Sequence, residues 1–74
     1  MLAVQCKMAR AALGIGVRDL ATLAKVAPAT ISRLEAGDEL KERTVDAIRQ
    51  ALEAAGVEFI ESNGGGAGVR LRSD

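Results

Sequence analysis

The side chains able to do chemistry in this chain are cations and hydroxyls gathered between residues 25 and 43: Lys25, Thr30, Ser32, Arg33, Lys41 and Arg43. Lysine and arginine neutralise phosphates, and an arginine can fork two N–H donors onto guanine O6 and N7 in the major groove of DNA. Arg33 is the candidate base reader. Thr30 and Ser32 stand within a turn of it and suit a phosphate or a base, while Lys25, Lys41 and Arg43 suit the backbone. The bland alternative for each cation is an ordinary solvated charge. Other chemistry lacks its residues. Cys6 is the lone cysteine and the chain has no His, so no internal disulfide, ordinary zinc site or activated thiol is expected. The Gly64-Gly65-Gly66 run lacks the Lys-Ser/Thr and the helix of a phosphate loop and reads as a turn. No enzyme, cofactor or metal is expected.

Such cations are useful only if something holds them in a groove-sized array. Residues 17 to 37 read as two short helices joined by a tight turn. Helix 2 spans about 17–24, with Leu20, Leu23 and Ala24 as its buried stripe and Asp19 in its first turn, where the helix dipole favours an acid. The turn covers 25–27. Pro28 suits the first position of helix 3, where its missing N–H costs nothing, and Gly37 is a left-handed stop. Small Ala21 allows a close crossing, and Leu20, Ala24, Val26, Ile31 and Leu34 supply the apolar contacts. That leaves Pro28, Ala29, Ser32, Arg33 and Ala36 facing outward, with the N-terminal end nearest the bases. Pro28 and Ala29 offer only apolar contact to a thymine methyl. Helix 1 is expected over 4–13, burying Cys6, Ala9 and Leu13 and ending at Gly14-Ile15-Gly16. A polar loop, 38–43, leads to helix 4, capped by Thr44 with Asp46 in its first turn, burying Val45, Ile48, Leu52 and Ala55 and closing at Gly56.

The pattern then changes period. Residues 57–61 and 69–72 alternate like strands around a glycine-rich connection. The expected register sets Val57 opposite Leu71, Glu58 opposite Arg70 and Phe59 opposite Val69, closing around Asn63-Gly64-Gly65. A flexible glycine-rich tail is the alternative. The chain thus divides into a helical domain, 1–56, and a hairpin, 57–74, whose Phe59, Ile60, Val69 and Leu71 are candidates for joining a second copy.

Residues 9–37 resemble the phage-repressor and Cro-type helix-turn-helix family, also called the XRE family. The resemblance is carried by Arg-x-x-Leu-Gly in helix 1, Asp-Leu-Ala in helix 2 and Thr-Ile-Ser-Arg-Leu-Glu-x-Gly in helix 3, and with helix 4 it spans about 5–56. It implies a mainly α, four-helix repressor-like bundle and a transcriptional regulator acting on double-stranded DNA as a homodimer. By position it also implies a partly buried ion pair between Arg10 and Glu35. The chain departs from the family where Lys25 replaces the usual turn Gly, Gly16-Val17 replaces Ser-Gln, and Ala27 replaces a capping Ser or Thr.

Bulk composition bounds these readings. Seventy-four residues make one small domain, and the only aromatic is Phe59, so the core must bring helices close together. Nothing approaches the ~20 apolar residues of a membrane span, and no secretion leader is seen, so a reducing cytoplasm is expected. Ten basic and ten acidic residues cancel. That weakens nonspecific DNA binding, and with Asp38, Glu39 and Glu42 beside the cations it keeps a second class open: a protein-interaction or antitoxin-like module that retains the fold with weak or no DNA binding.

Overall fold

Four helices and a two-stranded antiparallel hairpin follow one another along the chain: α1 (Ala3–Leu13), α2 (Val17–Ala24), α3 (Pro28–Glu35), α4 (Glu42–Ala54), β1 (Val57–Ile60) and β2 (Gly68–Leu71). The structure, a computed structural model, describes residues 1, 3–61 and 64–72. Helix α2 packs on α3 and α4, α1 packs on α3 and the hairpin, and α4 supports β1. One core serves them all: Cys6, Ala9, Leu20, Ala21, Ile31, Leu34, Ile48, Leu52 and Val57 are buried together. Val57 belongs to that core, so the hairpin is built onto the helices. The core residues are small or aliphatic, and emptying a site such as Ile31 by truncation to Ala costs roughly 2–5 kcal/mol.

The register of the hairpin is the expected one, Val57 with Leu71, Glu58 with Arg70 and Phe59 with Val69, and it adds Ile60 with Gly68. Arg70 Nε donates to Glu58 Oε2 at 2.7 Å across the strands. The expected turn at Asn63 falls outside the described residues, as does Ser62. Gln5, a buried polar residue of α1, clamps the pairing by donating from Nε2 to the carbonyls of Ile60 and Gly68, one on each strand, at 3.2 and 3.1 Å.

Three sequence expectations are corrected. Thr44 does not cap α4. The helix starts earlier, at Glu42 after an extended Lys41, so Glu42 supplies the first-turn acid and Asp46 lies deeper in the helix. Good helix formers at 42 and 43 extend the helix into what reads as a polar loop. Leu23 is exposed, because an eight-residue helix buries only the arc through Val17, Leu20, Ala21 and Ala24. Ala55 is also exposed, since the helix ends at Ala54 and Gly56, at φ 110°, turns the chain into the hairpin.

The first three helices stop in the same way. Two backbone N–H groups beyond each helix reach back to carbonyls in its last turn: Gly14 and Ile15 to Ala11 and Arg10, Lys25 and Val26 to Thr22 and Ala21, Gly37 and Asp38 to Leu34 and Arg33. This motif needs a left-handed residue at its bend. Gly14 (φ 69°) and Gly37 (φ 92°) take that conformation without penalty, but α2 uses Lys25 at φ 60°, ψ 43°. A side chain there costs roughly 1–2 kcal/mol, offset in part by the entropy a glycine would lose on folding. Replacing Lys25 by Gly is therefore expected to raise the unfolding free energy by about 0.5–1 kcal/mol, read as a higher urea midpoint with unchanged slope. A lower midpoint would contradict the strained-turn account.

Candidate nucleic-acid interface

Helix α3 is only eight residues long, and its position is set from outside. Ile31 and Leu34 bury one side of it. Its last residue, Glu35, receives the side chain of Arg10 from α1 in a two-pronged pair: Nε donates to Oε2 at 2.6 Å and Nη2 to Oε1 at 2.7 Å. Arg10 Nη1 also reaches the Ile15 carbonyl at 3.4 Å, tying in the loop before α2. The Cys6 thiol donates to the same Glu35 oxygen at 3.2 Å. The Glu35 side chain is 8% exposed and that of Arg10 21%, so the pair is screened only partly by water.

These contacts shift all three groups. The hydrogen bonds from Arg10 hold the Glu35 carboxyl below its ordinary value of 4.5, against the opposing effect of burial, with help from the Cys6 hydrogen bond and the charges of Arg10 and Lys7. Burial first, and then the bond to Glu35, push the Cys6 thiol up to about 12. Arg10 is raised by the hydrogen bond to Glu35. Cys6 is thus a protonated donor buried in the core, the opposite of a reactive thiolate.

With α3 held on that side, its other side is open. Pro28, Ala29, Ser32, Arg33 and Ala36 are all exposed, as the helical spacing requires, and Thr30 is half-buried. Arg33 projects from the ridge with 61% of its side chain exposed. A cleft of about 440 Å³ runs between this face and the segment entering α4, lined by Thr30, Arg33, Glu39, Leu40, Lys41 and Thr44. Three sequence-selected residues, Thr30, Arg33 and Lys41, therefore meet around one groove. Lys25, on the α2–α3 turn, and Arg43, in the first turn of α4, are exposed and do not line it.

The start of α3 departs from a well-capped helix, since Ala27 makes no side-chain cap. At the start of α2 the cap is supplied from within the helix, where the Gly16 N–H donates to Asp19 Oδ2 at 3.0 Å. One contact on the open ridge is not among the expectations above, which place Asp38 only as an acid beside the cations. Arg33 Nε donates to Asp38 Oδ2 at 3.3 Å. The spacing contains the signal: a residue directly after the left-handed Gly37 folds back beside the residue five before it.

On the hairpin, the four residues selected for association divide. Phe59 and Val69 are half-buried against the chain's own core, and Arg49 lies over the Phe59 ring at 5.3 Å. Ile60 (40% exposed) and Leu71 (51%) remain open. Val4 and Met8 on α1 are exposed as well, and a Cβ placed on Gly68 would stand 3.8 Å from Met8 Cε, so α1 and the hairpin share an apolar border.

Among the described residues no group of His, Cys, Asp and Glu is arranged to hold a metal ion, and no helix is long and apolar enough to cross a membrane. No family model matches the chain, and no curated protein matches it.

The Arg10–Glu35 pair carries a test. Glu35→Ala leaves a half-buried guanidinium without its partner and is expected to cost about 3 kcal/mol near neutral pH. A carboxyl whose folded value is depressed contributes stability that is present above 4.5 and lost as pH falls through the lower folded value. The gap between wild type and variant in urea unfolding should therefore narrow as the solution is acidified below 4.5. A variant as stable as wild type at pH 7, or a gap that does not change with pH, would refute the assignment.

Proposed function

We propose that this protein is a sequence-specific DNA-binding protein, a transcriptional regulator of the phage-repressor and Cro type, or XRE family, acting as a homodimer in the cytoplasm. The observation that carries the reading is the α2–turn–α3 pair, with Ala21, Ile31 and Leu34 packed inside and the ridge from Pro28 to Arg33 exposed. A helix presented in this way fits the major groove of DNA, its outer side chains meeting base edges and its neighbours meeting phosphates. In this role Arg33 reads guanine, and Pro28 and Ala29 touch thymine methyls. Lys25, Lys41 and Arg43 contact the phosphate backbone, and Thr30 and Ser32 contact a phosphate or a base. The role is binding, without catalysis, metal or cofactor.

Dimerisation follows from the weakness of one such helix as a reader. Two copies spaced by a helical turn multiply its discrimination. The exposed Ile60 and Leu71 of the hairpin, with Val4 and Met8 alongside, support association through the end of the molecule built from α1 and the strands.

The acidic neighbours of the ridge favour the second reading, a protein-interaction module with little DNA affinity. Asp38 pairs with Arg33, Glu39 lines the cleft, and the whole chain is neutral.

Selection of bound sequences from random duplex DNA separates the two. The regulator reading expects enrichment of a two-fold symmetric site containing guanine. Arg33→Ala should then weaken binding by about 1–3 kcal/mol per half-site and abolish the preference at the symmetry-related guanine in each half-site. No enrichment, together with no mobility shift on mixed DNA at low salt, would overturn the regulator reading.

A further inference from the structure

We infer that Asp38 is a positioning residue for Arg33, holding the guanidinium by its Nε so that the two terminal nitrogens face a guanine edge. The inference rests on the DNA-binding reading above and names the residue that sets its discrimination.

Two bonds join these residues. The Asp38 backbone N–H donates to the Arg33 carbonyl at 3.0 Å, and the Arg33 side chain donates through Nε to Asp38 Oδ2 at 3.3 Å. The first is part of the α3 stop, in which Gly37 at φ 92° bends the chain back and its own N–H bonds the Leu34 carbonyl at 3.0 Å. An exposed ion pair ordinarily contributes little, because two free side chains must be ordered to form it. Here one partner is a short side chain on backbone already fixed to the other residue, so much of that ordering is done by the helix end itself.

The nitrogen that is used matters. A guanidinium has five N–H donors in a rigid fork, one on Nε and two on each terminal nitrogen. A carboxylate on Nε leaves the Nη1–Nη2 edge free, and that edge can span guanine O6 and N7. Fixing the plane of the fork before DNA arrives removes an ordering cost that would otherwise oppose binding. The negative charge acts in the other direction on phosphates, lowering the attraction of the whole ridge for any DNA. Asp38 therefore raises discrimination and lowers general affinity. An acid that merely repels phosphate would do only the second.

This opposition of signs is the test. Wild type, Asp38→Ala and Asp38→Asn are compared at one salt concentration on three DNAs: the selected site, the same site with the Arg33-dependent guanine replaced, and mixed-sequence duplex. Asp38 is exposed and lies beyond the core, so both variants are expected to fold. Asp38→Ala should bind mixed DNA several-fold more tightly, while its preference for the guanine falls about tenfold, within the range one forked contact supplies. Asp38→Asn keeps an oxygen that accepts from Nε and should keep most of the preference while sharing the gain on mixed DNA. A gain by Asp38→Ala that is equal on all three DNAs overturns the positioning role and leaves the DNA-binding reading intact. Failure of wild type to select any sequence overturns both.

Discussion

The fork of Arg10 onto Glu35 is the constraint on which the presentation of α3 depends. Eight residues are too few for a helix to persist by itself. Ile31 and Leu34 supply the apolar hold on one side, and Glu35 supplies a directional one at the last turn. Two nearly parallel hydrogen bonds fix the rotation of α3 about its axis better than packing alone, because the guanidinium and carboxylate must share a plane. The Cys6 thiol on the same oxygen and the Ile15 carbonyl on the same arginine extend the arrangement to the core of α1 and the loop before α2. The pair is worth little as attraction, since desolvation offsets it. Its effect is to make alternative rotations of α3 expensive, each leaving a half-buried charge unpaired.

Charge on the opposite face of α3 is arranged differently. Arg33 stands in water with one acid beside it, and Lys41 shares a cleft with Glu39. Such a ridge has little general attraction for a polyanion, so whatever affinity it has must come from fit. In the proposed function this is a bias toward selectivity. The two exposed residues nearest the helix start, Pro28 and Ala29, have no side-chain hydrogen-bonding group, so in that function side-chain discrimination would rest on Arg33 and the group that orients it.

The start of α2 and both ends of α3 are legible in the sequence because local signals agree there: Asp19 in a first turn, Pro28 at a first helical position, Gly37 at a bend. The strand register was legible because valine, phenylalanine and leucine alternate with charge, and Glu58 meets Arg70. The Arg10–Glu35 pair is implied by the family resemblance and not by spacing, since nothing local joins residues 25 apart. Other features depended on tertiary context. Leu23 looked like core by period, yet too little of the fold surrounds α2 to cover it. Thr44 looked like a cap, but Glu42 and Arg43 continue the helix past it. Gln5 gave no sign that its amide would bridge two strands at the far end of the chain. The outward stripe of α3 followed from its inward one, and residues 28, 29, 32, 33 and 36 are all exposed.

In the proposed function the open ridge of α3 is the face that meets DNA, while the end formed by α1 and the hairpin stays clear of it. Titrating isotopically labelled protein with the selected duplex and following backbone amide shifts tests this directly. The account predicts that the largest changes fall on residues 25, 29–33 and 38–43, with Val57–Ile60 and Gly68–Leu71 unaffected by added DNA once the dimer is formed. Changes centred on the hairpin or on the exposed side of α4, with the α3 ridge unmoved, would contradict it.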